Sequence, residues 1–227
     1  MVQPSIRLLL LCGLIALVAL GAYSNARWLA AEAYLRFSEQ RGQSAETRVV
    51  ALQAAGIARS LQPFSARAVK SQADSDLFLG KTELALKEYA SALTLAPADA
   101  YLWRDNALAL IYTGILDQRV ELSVHEAQAW ARKSKQIHFS LAIAGLRVFE
   151  QSSPDLRGMW MNSIRFAYWY KPDAILWAAY SADEELLLCD GSVILKPEAN
   201  PWCAAARWRH GLCADTASCF RKQERQP

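Results

Sequence analysis

Small side chains recur at an interval of about 34 residues through the middle of this chain, a period that favours stacked helix pairs over a non-repeating helical bundle with coincidental spacing. The fullest instance is Gly80–Pro97, GKTELALKEYASALTLAP. Gly80 supplies a turn, and Ala85, Tyr89 and Ala92 then fall at helical spacing on one face. Pro97 stops the run two residues after Leu95. One interval back, Ala85 lands on Ala51, Ala92 on Ala58, Leu95 on Leu61 and Pro97 on Pro63. One interval forward, Gly80 lands on Gly114, with Trp103 and Ala107 between them. Antiparallel helices approach closely only where small side chains meet, so these alanines belong at the contact and Tyr89 fills the gap beside them.

This register resembles the tetratricopeptide (TPR) repeat. Gly80–Pro97 takes the place of a second helix, while Trp103 and Ala107 occupy the aromatic and small-residue slots of a first helix. The resemblance implies an all-α chain containing a short TPR-like α-solenoid. Its helices are expected over Ala51–Leu61, Ser65–Phe78 with Lys70, Gln72 and Asp74 on its outer face, Gly80–Pro97, and Ala100–Tyr112 behind an Asp99 N-cap.

Arg7 precedes Leu8–Tyr23, an apolar run of about 16–18 residues without charge, near the lower limit for crossing a bilayer as a helix. A positive flank before such a run places the start in the cytoplasm and the remainder outside it. An uncleaved signal anchor and a cleavable signal peptide both fit, since Ala22–Ser24 and Ser24–Ala26 resemble small-residue cleavage sites. Helix-forming sequence resumes at once in Arg27–Arg41, which favours the anchor. Leu11 before Cys12, where lipid attachment needs a small residue, argues against a lipoprotein. The expected division is a cytoplasmic start at 1–5, an anchor at 6–23, a helical body at 24–185 and a tail at 186–227.

Gly42 and Ser44 supply a break and an N-cap, with Ala45–Thr47 opening the next helix. Beyond Gly114 the repeat register slips. Ile115–Gln136 reads as one long helix, with an insertion near Gln118–Ser123 and small contacts at Ala127, Ala129 and Ala131. His138–Gln151 follows as an apolar helix. Ser153 and Pro154 then start a helix carrying Trp160, Phe166, Tyr168, Trp169 and Tyr170. These rings suit either a carbohydrate platform or a packed terminal repeat, and the packing demand of a solenoid end favours the second. Asp173–Ala182 is expected to be a short helix with Trp177 inward. Cys189-Asp190-Gly191 is read as a helix end in preference to a hairpin, Pro201–Gly211 as a last short helix, and Arg221, Lys222 and Arg225 make the terminus basic.

The residues that carry enzymatic chemistry are sparse. Only three histidines occur, and His125-Glu126 lacks the second histidine of a zinc-protease helix. There is no phosphate-cradling P-loop, no Gly-x-Gly-x-x-Gly after a strand and no Gly-x-Ser-x-Gly elbow. Asp183-Glu184-Glu185 reads as a solvated turn. A net charge of +3, without basic runs interleaved with aromatics, gives no footprint for nucleic acid. Cys203, His210, Cys213 and Cys219 could wrap a zinc ion, but they lack the two-residue knuckle of common sites. In an exported chain, Cys189, Cys203, Cys213 and Cys219 are expected to form two disulfides, with three pairings open.

One apolar anchor, a few degenerate repeats with the LTLAPADAYLW junction (Leu93–Trp103), a Ser-Pro-capped aromatic helix and a cysteine-bearing tail together resemble the single-pass TPR-like accessory proteins of bacterial exopolysaccharide assembly systems. That resemblance implies a bacterial inner-membrane protein with most of its chain in the periplasm. It implies no catalytic residues and no cofactor or metal, and a partner among envelope or polysaccharide-assembly proteins. The expected function is an interaction scaffold, with Asp105 and Asn106 as candidate partner contacts. The alternative is a carbohydrate-binding or thiol-dependent protein using the aromatic helix and the tail.

Overall fold

The computed structural model describes residues 4–41, 47–215 and 218–219, and among these every regular element is helical. Gly42, Ser44, Ala45, Glu46, Arg221, Lys222 and Arg225 lie outside the described residues. The chain divides into two compact units, Met1–Pro97 and Ala98–Pro227.

The first unit consists of α1 (Pro4–Arg41), α2 (Arg48–Leu61), α3 (Ala66–Phe78) and α4 (Thr82–Leu95). α1 and α2 form one helix pair, α3 and α4 the next, and α3 packs against both helices of the first pair. The apolar run and Arg27–Arg41 are thus one uninterrupted helix, whose later part is the first helix of the first pair. Its Cys12–Gln40 stretch is long and apolar enough to cross a membrane. Leu35 of α1, Ala58 of α2 and Ala68 of α3 form a buried cluster where the three helices meet. Arg67 ties α3 to α1 through Glu32 at 2.9 Å and Glu39 at 2.6 Å. These bonds, with burial opposing them, push its pKa further above the arginine range.

The second unit consists of α5 (Ala100–Tyr112), α6 (Gln118–Trp130), α7 (Lys135–Val148), α8 (Pro154–Tyr170), α9 (Pro172–Ala182), α10 (Glu185–Leu188) and α11 (Pro201–Arg209). The pairs are α5 with α6 and α7 with α8; α7 also packs on α5, and α9 lies against α7 and α8. A 3₁₀ turn, Pro197–Ala199, precedes α11.

The repeat is visible in which residues are buried. Ala51, Ala55 and Ala58 in α2 match Ala85, Tyr89 and Ala92 in α4, Val120, Val124 and Ala127 in α6, and Leu156, Trp160 and Ser163 in α8. Each set has i, i+4, i+7 spacing and is buried. The first helices α3, α5 and α7 share one small position, Ala73, Ala107 and Ala142, all fully buried. The aligned prolines, Pro63 and Pro97, are exposed just past the helix ends, where they block continuation.

The first-to-second helix turn has the same construction after α3 and α5. Gly80 (φ 74°) and Gly114 (φ 78°) hold left-handed conformations that suit glycine. Gly80 N–H donates to Leu77 O at 3.1 Å and Lys81 N–H to Asp76 O at 2.8 Å. Gly114 N–H donates to Ile111 O and Ile115 N–H to Leu110 O, both at 2.9 Å. This is the Schellman arrangement, which satisfies two otherwise orphaned carbonyls.

Past Gly114 the structure corrects the expected long helix. Ile115–Gln136 is broken at residues 131–134, and α6 has an ordinary length. The slip arises in the turn: Gly80 stands five residues before Ala85, but Gly114 six before Val120, so Ala129 is exposed and Ala127 carries the contact. Asp117 starts α6 by accepting from Arg119 N–H at 2.9 Å, and Ser134 starts α7 by accepting from Ile137 N–H at 3.4 Å. α7 accordingly begins at Lys135, ahead of the expected His138. The expected caps at Asp99 and Ser153 accept backbone N–H groups of their helices, and Ser65, expected as the first residue of α3, is its N-cap.

Candidate functional site

α9 buries Ile175 and Ala179, one helical turn apart. Trp177, two residues past Ile175, therefore lies about 200° around the helix and points outward, contrary to the inward placement expected from its size. It is 67% exposed. Tyr180 follows on the same side, and the two rings meet edge to face at 5.6 Å. With Asp173, Leu176 and Trp202 they line a cleft of about 400 Å³.

Trp202 is brought there from the tail. Asn200 accepts from Trp202 N–H at 2.9 Å and starts α11, with Pro201 in the first turn. The neighbouring Cys203 is joined to Cys189 at the end of α10, and a second disulfide closes Cys213 to Cys219. The four tail cysteines are thus paired as two disulfides, which leaves no thiolates for a zinc site with His210.

Behind the cleft is a buried charge. Glu185 has no exposed surface, contrary to the solvated turn expected of the acidic triplet. Its carboxylate meets the Arg209 guanidinium through Oε1 and His210 Nε2 through Oε2 at 3.1 Å. Arg209 also lies over the Tyr180 ring at 4.2 Å, linking the charge cluster to the cleft. Asp183, exposed and left-handed at the end of α9, approaches His210 at 3.7 Å. The Asp183, Glu185 and His210 ligand atoms lie within 4.8 Å of one another. A cation there would face the guanidinium already on Glu185, so the cluster is better suited to holding α11 in place than to binding metal. Next to it, burial raises the Glu184 carboxyl pKa, with Glu150 and Asp183 adding to the effect.

The aromatic helix α8 divides its rings. Trp160 is fully buried against Gly145 of α7, where an added Cβ would come within 2.7 Å of the indole. Trp169 is 90% exposed, while Phe166, Tyr168 and Tyr170 are half-buried. They form no common flat platform.

Asn106 donates to Ser123 Oγ of α6 at 2.8 Å, and Asp105 pairs with Arg104 at 2.5 Å. Both are half-buried, with their polar groups engaged within the chain. One pair escaped the sequence reading: Ser163 Oγ lies 3.1 Å from His138 Nδ1. Such a contact can activate a serine nucleophile, but Ser163 has no exposed surface and also accepts from Gln128 at 2.9 Å. Its role is to join α6, α7 and α8. The 25 residues between the partners left no local signal. No known family model matches this chain, and no curated protein matches it in sequence.

Proposed function

We propose that this protein is a membrane-anchored interaction scaffold in which TPR-like helix pairs present an aromatic cleft to a protein partner. The observation that carries the reading is the continuity of α1, which makes the apolar segment and the first repeat helix one rigid element. A solenoid built onto an anchor holds whatever it binds close to the bilayer. The cleft of Trp177, Tyr180 and Trp202 offers large, stiff rings with a carboxylate at the edge, the composition of a protein-binding hot spot. Asp105 and Asn106 suit this role less, because they are committed within the helix pair. The resemblance to exopolysaccharide accessory proteins names the partner class: a synthesis or export component of the inner membrane, met on the periplasmic side. No catalytic role is proposed.

A photo-crosslinking residue placed at Trp177 in native membranes tests this. The expected result is a discrete adduct with a polysaccharide-assembly protein that is absent from the same label at exposed Leu122. Release of the chain by alkaline carbonate would remove the anchor, and absence of any adduct would remove the scaffold. Carbohydrate binding is the second reading, favoured by three rings around one cleft. It requires oligosaccharide to quench tryptophan emission in the wild type and not in Trp177→Ala.

A further inference from the structure

Phe64 is 85% exposed, high for a large apolar residue, and it does not stand alone. It sits in the α2–α3 connection beside a groove of about 680 Å³ whose walls include Leu20, Tyr23, Arg27 and Trp28 of α1. Those four residues repeat at helical spacing along one face. They run from inside the apolar segment to the first charge after it. Nineteen uncharged residues separate Arg7 from Arg27. At helical rise this sets the two backbone positions about 30 Å apart, the thickness of a bilayer's hydrocarbon core. Arg27 therefore marks the outer boundary, and Phe64 is level with it.

The connection is fixed at that height. Arg27 donates to Leu61 O at 2.9 Å, and Arg59 donates to Pro63 O. The Arg27 guanidinium caps the carbonyl end of α2 and Arg59 lies in its last turn, where positive charge is favoured by the helix dipole. They also stand where lipid phosphates would lie. Tyr23 and Trp28 are more than half exposed, and Arg27 stacks over the Tyr23 ring at 5.7 Å. Aromatic side chains beside arginine at the end of an apolar helix form the belt that lipid headgroup regions accommodate.

We propose that the α2–α3 connection, Gln62–Ser65, is a second membrane contact that inserts Phe64 into the bilayer interface beside Tyr23 and Trp28. The occupant is lipid, because the surface is continuous with the apolar span and lies at its boundary. The inference rests on α1 crossing the membrane. The first helix pairs then rise from the bilayer with a fixed tilt, held at two points instead of swinging on one helix.

Nitroxide labels on single cysteines, in a Cys12→Ser chain reconstituted in phosphatidylethanolamine–phosphatidylglycerol bilayers, test both statements separately. The labelled positions are Leu17→Cys in the span, Phe64→Cys, and Leu79→Cys at the opposite end of α3. Collision with oxygen and with a water-soluble nickel chelate reads depth. A several-fold higher oxygen-to-nickel ratio at 64 than at 79, below that at 17, is expected. Equal ratios at 64 and 79 with 17 deep would overturn the contact and leave the anchor standing. Loss of both collisions at 64 would place protein there instead of lipid and also overturn it. A water-exposed 17 would remove the anchor and the contact together.

Discussion

The second helices of the two units meet their neighbours by opposite means. In Met1–Pro97 the second helices present mostly small side chains: α2 buries Ala51, Ala54, Ala55 and Ala58, with Leu35 of α1 clustered against Ala58, and α4 buries Ala85 and Ala92 on either side of Tyr89. In Ala98–Pro227 the α7–α8 seam sets the largest side chain against none, Trp160 against Gly145. The turns differ too, though not by unit. α3 and α5 end on glycine. α7 has no such glycine and is capped by side chains: Arg157 donates to Phe149 O at 2.9 Å and to Glu150 O, and Ser152 Oγ donates to Val148 O at 2.7 Å. Trp160 Nε1 donates to the same Ser152 hydroxyl at 3.0 Å, tying seam and turn together. A fixed helix spacing is therefore a geometric demand that different volumes can satisfy, provided the two faces change together.

The largest expected effect breaks the unusual seam. Trp160→Ala removes a fully buried indole and its hydrogen bond, at a cost of about 3–5 kcal/mol. Hydrogen exchange should accelerate across α7 and α8 and remain unchanged in α2 and α4. Protection retained in α7 would mean that the indole is not what holds the pair.

Next comes the tail. Cys189→Ser with Cys203→Ser should cost about 2–4 kcal/mol by releasing a constraint on the unfolded chain. The loss should appear in α10 and α11 and leave the α7–α8 seam protected. It should also weaken crosslinking from Trp177, because Trp202 would then be held at the cleft only through the Arg209 and His210 contacts.

The helix pairs were legible from the sequence because one period of small residues, glycines and prolines encodes them locally. The caps at Asp99 and Ser153 were legible for the same reason: each acts within three residues of itself. After Gly114, one added turn residue shifted the pattern, and the N-cap signals at Asp117 and Ser134 were the clue to the correct break. Trp177 was misplaced because bulk was taken as burial, although Ile175 and Ala179 already filled the inward stripe. Glu185 was misread because its partners, Arg209 and His210, are 24 and 25 residues away. The cleft was illegible because Trp202 is held near α9 by a disulfide whose pairing the sequence left open and by the equally distant contacts of Arg209 and His210.

A smaller effect distinguishes two uses of glycine. Gly145→Ala should cost about 1–3 kcal/mol by overpacking against Trp160. Gly80→Ala meets no atom within 4 Å, so its cost, about 1–2 kcal/mol, comes from the left-handed backbone alone. Asparagine separates the causes: Gly80→Asn should recover part of the loss, because asparagine tolerates that conformation, while Gly145→Asn should be worse than alanine. Urea midpoints that ranked both asparagine variants alike would remove the distinction.

The smallest effect concerns acid, and it too belongs to the second unit, which contains all three histidines. His138 Nε2 faces a carbonyl, Arg132 O at 3.0 Å, and must carry the proton there. That leaves Nδ1 to accept from Ser163, so the network suits a neutral ring. Burial, opposed by the Arg132 bond, lowers its pKa below the ordinary 6.5. Above about pH 6.5 neither state is charged and the stability is fully present. As pH falls from there through the lowered folded value, the unfolded chain takes up a proton that the folded chain refuses, and stability is lost. Thermal melts of the wild type should therefore fall more between pH 7.5 and 5.5 than those of His138→Gln. The difference between the two removes the contribution of Glu184, whose raised pKa acts in the opposite direction as pH falls. Parallel pH profiles would show that the imidazole titrates without regard to folding.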